Sequence, residues 1–347
     1  MTHHKTTASD VARKAHVSVS TVSRAFSRPD QVSEATRNKI LAIADDLNFS
    51  ISRAAGNLKS GKSHRIALLV GDEKIEWFTA CVFEGLNHVL APEGYDLISY
   101  PMNDSENRNL FFDNLPVRNN TDAVIVSSFA IRNNEIERLQ TAGVPLIGIN
   151  VPTHQGFSAT VGTNDDTGVK LVVHHLASLG HRKILYIYQT FQSDLKFSSQ
   201  KRLKVFQREC SKLKTVTGVV EAFNPPTTSC DAILTGLLAQ DDAPTAVFLH
   251  QDSQAIPFFF RARECGLEIP HDLSIIGYDD STFAGEVGLT TIHQDPRIMA
   301  QEAARKTLDL INRQPLQKPY EEFPVELTVR SSTGAPRKKS LYARYDG

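Results

Sequence analysis

From residue 66 onward, short apolar runs alternate with longer amphipathic stretches. The runs have the near-continuous apolar character of buried parallel strands, and they occupy 66–70, 96–100, 122–128, 145–150, 183–188, 245–250 and 273–278. Helix-length amphipathic stretches are predicted near 78–91, 106–115, 133–142, 166–179, 198–213, 228–239, 253–265 and 297–313. This alternation predicts an α/β fold of doubly wound parallel sheets. The strand count favours two lobes, each with a sheet of five or six strands.

The first fifty residues have an all-helical pattern instead. Three short helices are predicted to begin after Thr7, Ser18 and Ser33, which are good N-cap residues. The third helix should bury an inner face, made of Ile40, Leu41, Ala44 and Leu47. The first two are separated only by residues 16–18. Helix, three-residue turn and second helix is the arrangement of a helix-turn-helix, whose second helix enters the major groove of DNA.

The predicted second helix, VSTVSRAF at 19–26, has two distinct faces. Val22 and Phe26, four residues apart, point inward, whereas the outer face is formed by Val19, Ser20, Thr21 and Arg24. Small outer side chains let a helix backbone approach the groove closely, and an arginine can bind guanine through two hydrogen bonds, worth roughly 1–3 kcal/mol of base discrimination. Ser20, Thr21 and Ser23 can donate to phosphates or bases. The alternative is a solvated face that is rich in serine and threonine by chance.

Charge supports the nucleic-acid interpretation. The chain has a net charge of −1, but residues 1–62 contain ten lysines and arginines against five acidic residues, which leaves −6 on the remainder. A basic head on an acidic body suggests a nucleic-acid partner for the head. The four cysteines show no metal-binding spacing, the N-terminus lacks a signal-peptide core, and no run approaches the ~18 apolar residues of a membrane span. These features predict a soluble cytoplasmic protein without metal or cofactor.

GNLKSGKS at 56–63 fits the phosphate-binding pattern G-x-x-x-x-G-K-[ST]. Such a loop requires a strand before it and a helix after it, so that helix amides cradle the phosphates. Here a helix-like linker precedes the motif and the strand at 66–70 follows it. The reversed order argues against a P-loop enzyme, and no other catalytic motif is present. A free solute-binding protein is a further alternative, against which the helical head and the absent signal peptide argue.

Taken together, ASDVARKAHVSVSTVSRAF at 8–26 and VSEATRNKI at 32–40 resemble the DNA-binding head of the lac-repressor (LacI/GalR) family of bacterial transcription regulators. Further landmarks follow in family order: GYDL at 94–97, NDDTG at 164–168, LGHRKI at 179–184, PTAVF at 244–248, GLEIPHDLSIIGYDD at 266–280, LTTIHQ at 289–294 and LTVRSST at 327–333. The resemblance implies a helix-turn-helix domain at 1–50, a hinge helix or linker at 51–65, an effector domain at 66–335 and a basic tail at 336–347.

The same resemblance implies that the effector domain is two-lobed and periplasmic-binding-protein-like. Its N-lobe would comprise about 66–163 and 292–325, and its C-lobe about 164–291 and 326–335. In the head, Val19, Ser20 and Arg24 take the family's operator-reading positions, and Thr21 and Ser23 take phosphate-contacting ones. Arg53 and Leu58 are the DNA contacts of the hinge, where the leucine would wedge into the minor groove. A plain flexible linker stays open for 60–65.

One position in the turn departs from the family pattern. His16 stands where the family usually has glycine. Histidine is among the few residue types that tolerate a positive φ, so we expect the turn to survive at some cost.

Effector ligands of such folds bind at the carboxyl ends of parallel strands. Residues in that position are Asp72, Trp77, Phe78, Gln251, Asp252 and Asp279. By resemblance, Arg202 and Asp279 match the family's principal effector-binding residues, Gln251 or Asp252 replaces an Asn-Asp pair, and Phe223 matches a stacking aromatic. An arginine fork and carboxylates suit vicinal hydroxyls, and aromatic faces suit a sugar ring. Asp279 as a helix cap and Trp77 as core are the structural alternatives.

These features predict a homodimeric repressor that binds a pseudo-palindromic operator under the control of a sugar or sugar derivative. Activation in place of repression, and corepression in place of induction, stay open.

Overall fold

The computed structural model describes residues 6–27, 29–49, 62–71, 75–102, 105–118, 120–190, 195–224 and 229–338. The chain divides into two compact units, Met1–Ser63 and His64–Gly347. Arg53, Leu58 and Asp72, which the sequence assigns to binding, lie outside the described residues, as do most of the predicted hinge and tail.

The first unit is the predicted three-helix head. Its helices are α1 (Ala8–Ala15), α2 (Val19–Ser27) and α3 (Glu34–Asp46), with a 3₁₀ turn at Pro29–Gln31. The helices begin where the caps predict, and the Ser18 hydroxyl accepts a hydrogen bond of 3.1 Å from the Thr21 amide. Ile40 and Ala44 are buried against α1 and α2, and Ile43, in place of the predicted Leu41, packs on this core. The buried positions of α3 therefore follow the spacing of one helix face.

His16 adopts the left-handed conformation, with φ 54° and ψ 46°. Its neighbour Val17 donates a backbone hydrogen bond of 3.0 Å to the carbonyl of Ala12, which closes the end of α1. The expectation that histidine would carry a positive φ in this turn is confirmed.

We expect His16→Gly to raise the free energy of unfolding of the head by up to about 1 kcal/mol, because the left-handed conformation costs an L-residue roughly 1–2 kcal/mol and glycine regains part of this. His16→Val should lower it, since a β-branched residue tolerates positive φ poorly. Hydrogen exchange of the α1 and α2 amides in the full-length protein measures both changes. Equal protection in the two variants would contradict the assignment of strain to His16.

The second unit contains two parallel sheets, one in each lobe. The strands are β1 (Arg65–Val70), β2 (Asp96–Pro101), β3 (Ala123–Ser127), β4 (Leu146–Ile149), β5 (Ala159–Thr163), β6 (Lys183–Gln189), β7 (Thr217–Phe223), β8 (Ala246–Leu249), β9 (Ser274–Ile276), β10 (Thr291–His293), β11 (Tyr320–Phe323) and β12 (Glu326–Thr328). The first sheet has the strand order β11-β5-β4-β3-β1-β2, the second has the order β7-β6-β8-β9, and β10 pairs with β12 in a separate antiparallel ribbon.

Helices flank both sheets. They are α4 (Trp77–Leu90), α5 (Ser105–Arg118), α6 (Asn133–Thr141), α7 (Asp165–Leu179), α8 (Gln200–Lys212), α9 (Cys230–Leu238), α10 (Asp252–Glu264) and α11 (Pro296–Ile311). The first lobe holds the six-stranded sheet with α4, α5, α6 and α11, and the second lobe holds the other sheet with α7 to α10. The chain crosses between the lobes after β5, β10 and β11. The predicted α/β fold with doubly wound parallel sheets is confirmed.

The apolar runs identified the central strands and missed several others. Strand β7 is mostly exposed at the sheet edge, and β5 (ATVGT) is built of small and polar residues. Neither has the continuous apolar run of a strand that is covered on both faces. Within the described residues the second sheet has four strands, fewer than the predicted five or six. No helix in the described part of the chain is long and apolar enough to span a membrane.

Candidate functional site

A cavity of about 380 Å³ lies between the two lobes, at the carboxyl ends of their strands. Aromatic side chains from both lobes line it: Trp77 and Phe78 open α4, Phe197 precedes α8, and Phe283 follows β9. Phe283 is 65% exposed, so its ring remains available to a ligand. The cavity therefore offers flat apolar faces on both sides.

Polar side chains at strand ends complete the wall. Ser128 follows β3, Asn150 follows β4, Gln189 ends β6 and Gln251 follows β8. The predictions included only Gln251 of these four. The carboxyl-end rule, applied to every strand rather than to three of them, identifies the others.

Arg202 lies at the base of the cavity and is 4% exposed. Its Nε donates to Oδ1 of Asp165 at 2.8 Å, and its Nη1 donates to the carbonyl of His250 at 2.6 Å. The guanidinium stacks 3.5 Å from the ring centroid of Tyr278, whose hydroxyl donates to the same oxygen of Asp165. Burial disfavours the charge of Arg202, but the neighbouring acidic groups, Asp165 foremost, together outweigh burial and raise the guanidinium pKa. The side chain is thus held charged and in one orientation.

Asp279 lines the cavity with a φ of 121°, an uncommon conformation for aspartate. Its Oδ1 accepts a hydrogen bond of 2.6 Å from Nε2 of Gln294, which also lines the cavity. Gln294 directly follows β10, at a crossover between the lobes. A ligand that contacts the predicted Asp279 would therefore act on a residue that is hydrogen-bonded to a chain crossover between the lobes.

Two predicted effector residues do not lie on the cavity wall. Asp252 is fully buried, and its carboxylate accepts hydrogen bonds from the Thr291 hydroxyl at 2.7 Å and the Ser281 amide at 2.8 Å. These bonds anchor the turn that carries Asp279, so Asp252 supports the site without lining the cavity. Phe223 ends β7 and packs against the apolar core of the second lobe. Trp77, Phe78, Arg202, Gln251 and Asp279 are the predicted residues that the structure brings together.

In the head, α2 presents the predicted outer face. Val19 is 46% exposed, and Ser20, Ser23 and Arg24 are also exposed. Arg24 folds back along the helix, where its Nε donates to the Ser20 carbonyl and its Nη2 to the Ser20 hydroxyl, both at 3.2 Å. Thr21 is half-buried and shares a hydrogen bond of 2.8 Å with the Ser18 hydroxyl. The face therefore carries one cation among small hydroxyl side chains.

In a comparison with known proteins, each of the two units contains a match to a protein family. Residues 7–52 match the family of bacterial regulatory proteins, lacI family, and residues 173–333 match the periplasmic binding protein-like domain. The chain is 29% identical over 335 residues to the HTH-type transcriptional repressor PurR of Vibrio vulnificus (strain CMCP6), covering 94% of this chain and 98% of the relative. The chain belongs to the lacI family of bacterial regulatory proteins.

Solved structures agree in fold. A crystal structure of the lac repressor dimer bound to operator and the anti-inducer ONPF is 24% identical, with a TM-score of 0.80 over 96% of this chain and 100% of that chain. A LacI family transcriptional regulator from Enterococcus faecium with bound ribose is 27% identical, with a TM-score of 0.68 over 79% of this chain and 100% of that chain. This lacI-family chain is a DNA-binding transcriptional regulator with a small-molecule effector domain.

The carboxyl groups around the cavity of this lacI-family regulator have unusual acidity. Burial and the nearby charge of Asp252 together raise the pKa of Asp279 to about 8, against the opposing effect of Arg202. Burial also raises the pKa of Asp252, to about 6, although the hydrogen bonds from Ser281 and Thr291 favour its charged form. The two carboxylates thus disfavour each other's ionisation.

Stability should therefore depend on pH through Asp279. The folded protein holds this proton more tightly than the unfolded chain, where the pKa is near its ordinary value of 3.8. The stabilisation is complete below that value and is lost as the pH rises through about 8. We expect Asp279→Asn, which cannot ionise, to lose less stability than the wild type between pH 5 and pH 8, as followed by thermal unfolding. Exposed Asp309→Asn is the control, and parallel curves for all three proteins would contradict the assignment.

Proposed function

We propose that this regulator is a repressor that binds a pseudo-palindromic operator as a homodimer in the cytoplasm, and that a neutral sugar or sugar derivative in the cavity changes its operator affinity. The observation that carries the proposal is the interlobe cavity, which is lined both by aromatic side chains from the two lobes and by hydrogen-bonding groups. Its volume of about 380 Å³ is within the range of small-molecule sites, roughly 300–1,000 Å³.

The wall chemistry favours a ligand with many hydroxyl groups. Asn150, Gln189 and Gln251 offer amide groups that both donate and accept. The carboxylate of Glu76 at the mouth can only accept, so a ligand group that bonds to it must donate. A hydroxyl group meets both demands, and Trp77 and Phe283 can cover the apolar faces of a sugar ring. The ribose bound by the regulator from Enterococcus faecium is a ligand of this class.

The head supports sequence-specific DNA binding. Val19, Ser20 and Arg24 form the exposed face of a helix that follows a three-residue turn. The lac repressor, which shares the fold, binds its operator as a dimer. Because a dimer of identical heads has a two-fold axis, its operator should have the same symmetry.

Selection of genomic fragments bound by the purified full-length protein tests the DNA part of the proposal. We expect enrichment of one pseudo-palindromic sequence, and enrichment without such a site would overturn the claim of a dimeric operator-binding protein.

A thermal-shift screen of neutral pentoses, hexoses and disaccharides tests the effector part. At least one sugar should stabilise the protein and change its affinity for the selected DNA. If none does while nucleobases do, the sugar assignment fails and the regulator assignment stands. Release from DNA indicates induction, and tighter binding indicates corepression.

A further inference from the structure

Residues 195–199 belong to the second lobe by chain order but pack on the first. They lie between β6 and α8, both elements of the second lobe. Yet Leu195 and Phe197, which are 5% and 6% exposed, are part of an apolar cluster in the first lobe with Leu69 and Phe129. The first lobe's core is thus completed by side chains from the other lobe.

Backbone hydrogen bonds join the same residues to the loop after β3. The Ala130 amide donates to the Lys196 carbonyl, and the Ser198 amide donates to the Ser128 carbonyl, each at 2.9 Å. Together they form an antiparallel bridge between Phe129 and Phe197. This is the hydrogen-bond pattern of two paired antiparallel strands, and it fixes the register of residues 195–199 against the loop after β3.

The first lobe leaves room for this segment. A Cβ atom on Gly71, directly after β1, would lie 2.5 Å from Cε1 of Phe197. A side chain at Gly71 would therefore clash with the inserted ring. The absence of a side chain at the end of the strand allows the close approach.

The segment also reaches the cavity. Phe197, Ser198 and Ser199 line the cavity, and Arg202 follows within the first turn of α8. At the cavity mouth the lobes meet more weakly, since Glu76 Oε2 accepts hydrogen bonds of 3.3 Å from Gln251 and 3.4 Å from Ser253, and both bonds are exposed. Buried apolar contacts with short backbone bonds resist separation better than long exposed polar bonds.

We propose that residues 195–199 form an interlobe strap, which holds the two lobes of the effector domain together before any effector binds and delivers Phe197, Ser198 and Ser199 to the cavity wall. The strap is a noncovalent connection in addition to the three chain crossovers. An effector that contacts Phe197 or the adjacent serines acts directly on the joint between the lobes. The cavity can open at the Glu76 mouth while the strap stays in place.

Hydrogen exchange of the full-length protein, without operator or effector, tests the strap. In Phe197→Ala the amides of Ala130 and Ser198 should exchange more than about tenfold faster relative to the β1 amides than in the wild type, because the lost aromatic anchor opens the strap locally. Leu195→Ala, a milder change, should act in the same direction. Leu139→Ala is the matched control, since Leu139 is fully buried in the same cluster but lies on α6. It should accelerate hydrogen exchange of the strap amides and of the β1 amides to the same extent.

The strap is excluded if its amides exchange freely in the wild type, or if Phe197→Ala and Leu195→Ala leave the ratio of strap to β1 exchange unchanged. It is also excluded if Leu139→Ala raises that ratio as much as Phe197→Ala does. None of these measurements uses DNA or a sugar, so their failure leaves the proposed function standing.

Discussion

Replacement of Arg202 with alanine is expected to lower the free energy of unfolding of the second unit by about 3–5 kcal/mol. The variant leaves the Asp165 carboxylate buried with the Tyr278 hydroxyl but without its charged partner. A buried ion that loses its partner keeps the full cost of desolvation, which exceeds the net value of the pair itself. Denaturant unfolding of the full-length protein measures the change.

A double variant separates the charge effect from lost packing. Asp165→Asn combined with Arg202→Leu removes both charges, so it should be more stable than Arg202→Ala alone. If the double variant is as unstable as the single one, packing of the guanidinium on Tyr278 is the larger contribution. A loss below about 1 kcal/mol in Arg202→Ala would contradict a dry, oriented pair.

The effector response should also be lost in a milder variant. Arg202→Lys keeps a positive charge but lacks the planar fork that bonds Asp165 and His250 at once. Any sugar that stabilises the wild type should therefore give a smaller thermal shift with this variant. Lys204→Arg, which makes the reverse change on the exposed part of α8, is the control and should respond as the wild type does.

Replacement of Arg24 with alanine is expected to weaken specific operator binding by about 1–3 kcal/mol per head, or about 2–6 kcal/mol for a dimer with two heads. Arg24 is the one cation on the exposed face of α2. Its bonds to Ser20 are long and solvent-exposed, so exchanging them for a base contact costs little. Fluorescence anisotropy at a fixed salt concentration, with the selected operator and with unrelated DNA, measures the effect.

The loss should be selective for the operator. Binding to unrelated DNA depends on phosphate contacts and should change far less than operator binding. Arg13→Ala is the control, because Arg13 lies on α1 and pairs with Asp10. That variant should affect operator and unrelated DNA alike. Equal weakening on both DNAs in Arg24→Ala would show that the arginine contacts phosphate rather than a base.

The head could be predicted closely because its signals are local. Thr7 lies three residues before its partner Asp10, and the Ser18 and Ser33 hydroxyls bond amides three residues ahead. Such contacts depend on short stretches of chain. The glycine-to-histidine departure at position 16 was also readable, since the preference for a negative φ belongs to the residue itself.

The cavity was only partly predictable. The rule for parallel strands located Trp77 and Asp279 near one another although they are far apart in the chain, and the family resemblance added Arg202. It could not separate Gln251 from Asp252, because these neighbours begin the same helix and only the packing of α10 turns one toward the cavity and the other toward Thr291. The resemblance that points to Phe223 also leaves open which side of the edge strand β7 its ring occupies, since this depends on the core it covers.

By itself, the sequence determined the caps, the helical periods and the central strands of this regulator, and through them its division into a basic head and an α/β body. These depend on residue type and on contacts across a few positions. The tertiary structure alone decided that Asp165 holds Arg202, that Asp252 supports the turn of Asp279, and that Leu195 and Phe197 complete the core of the opposite lobe. Such contacts join residues remote in the chain, and only the packing of whole elements brings them together.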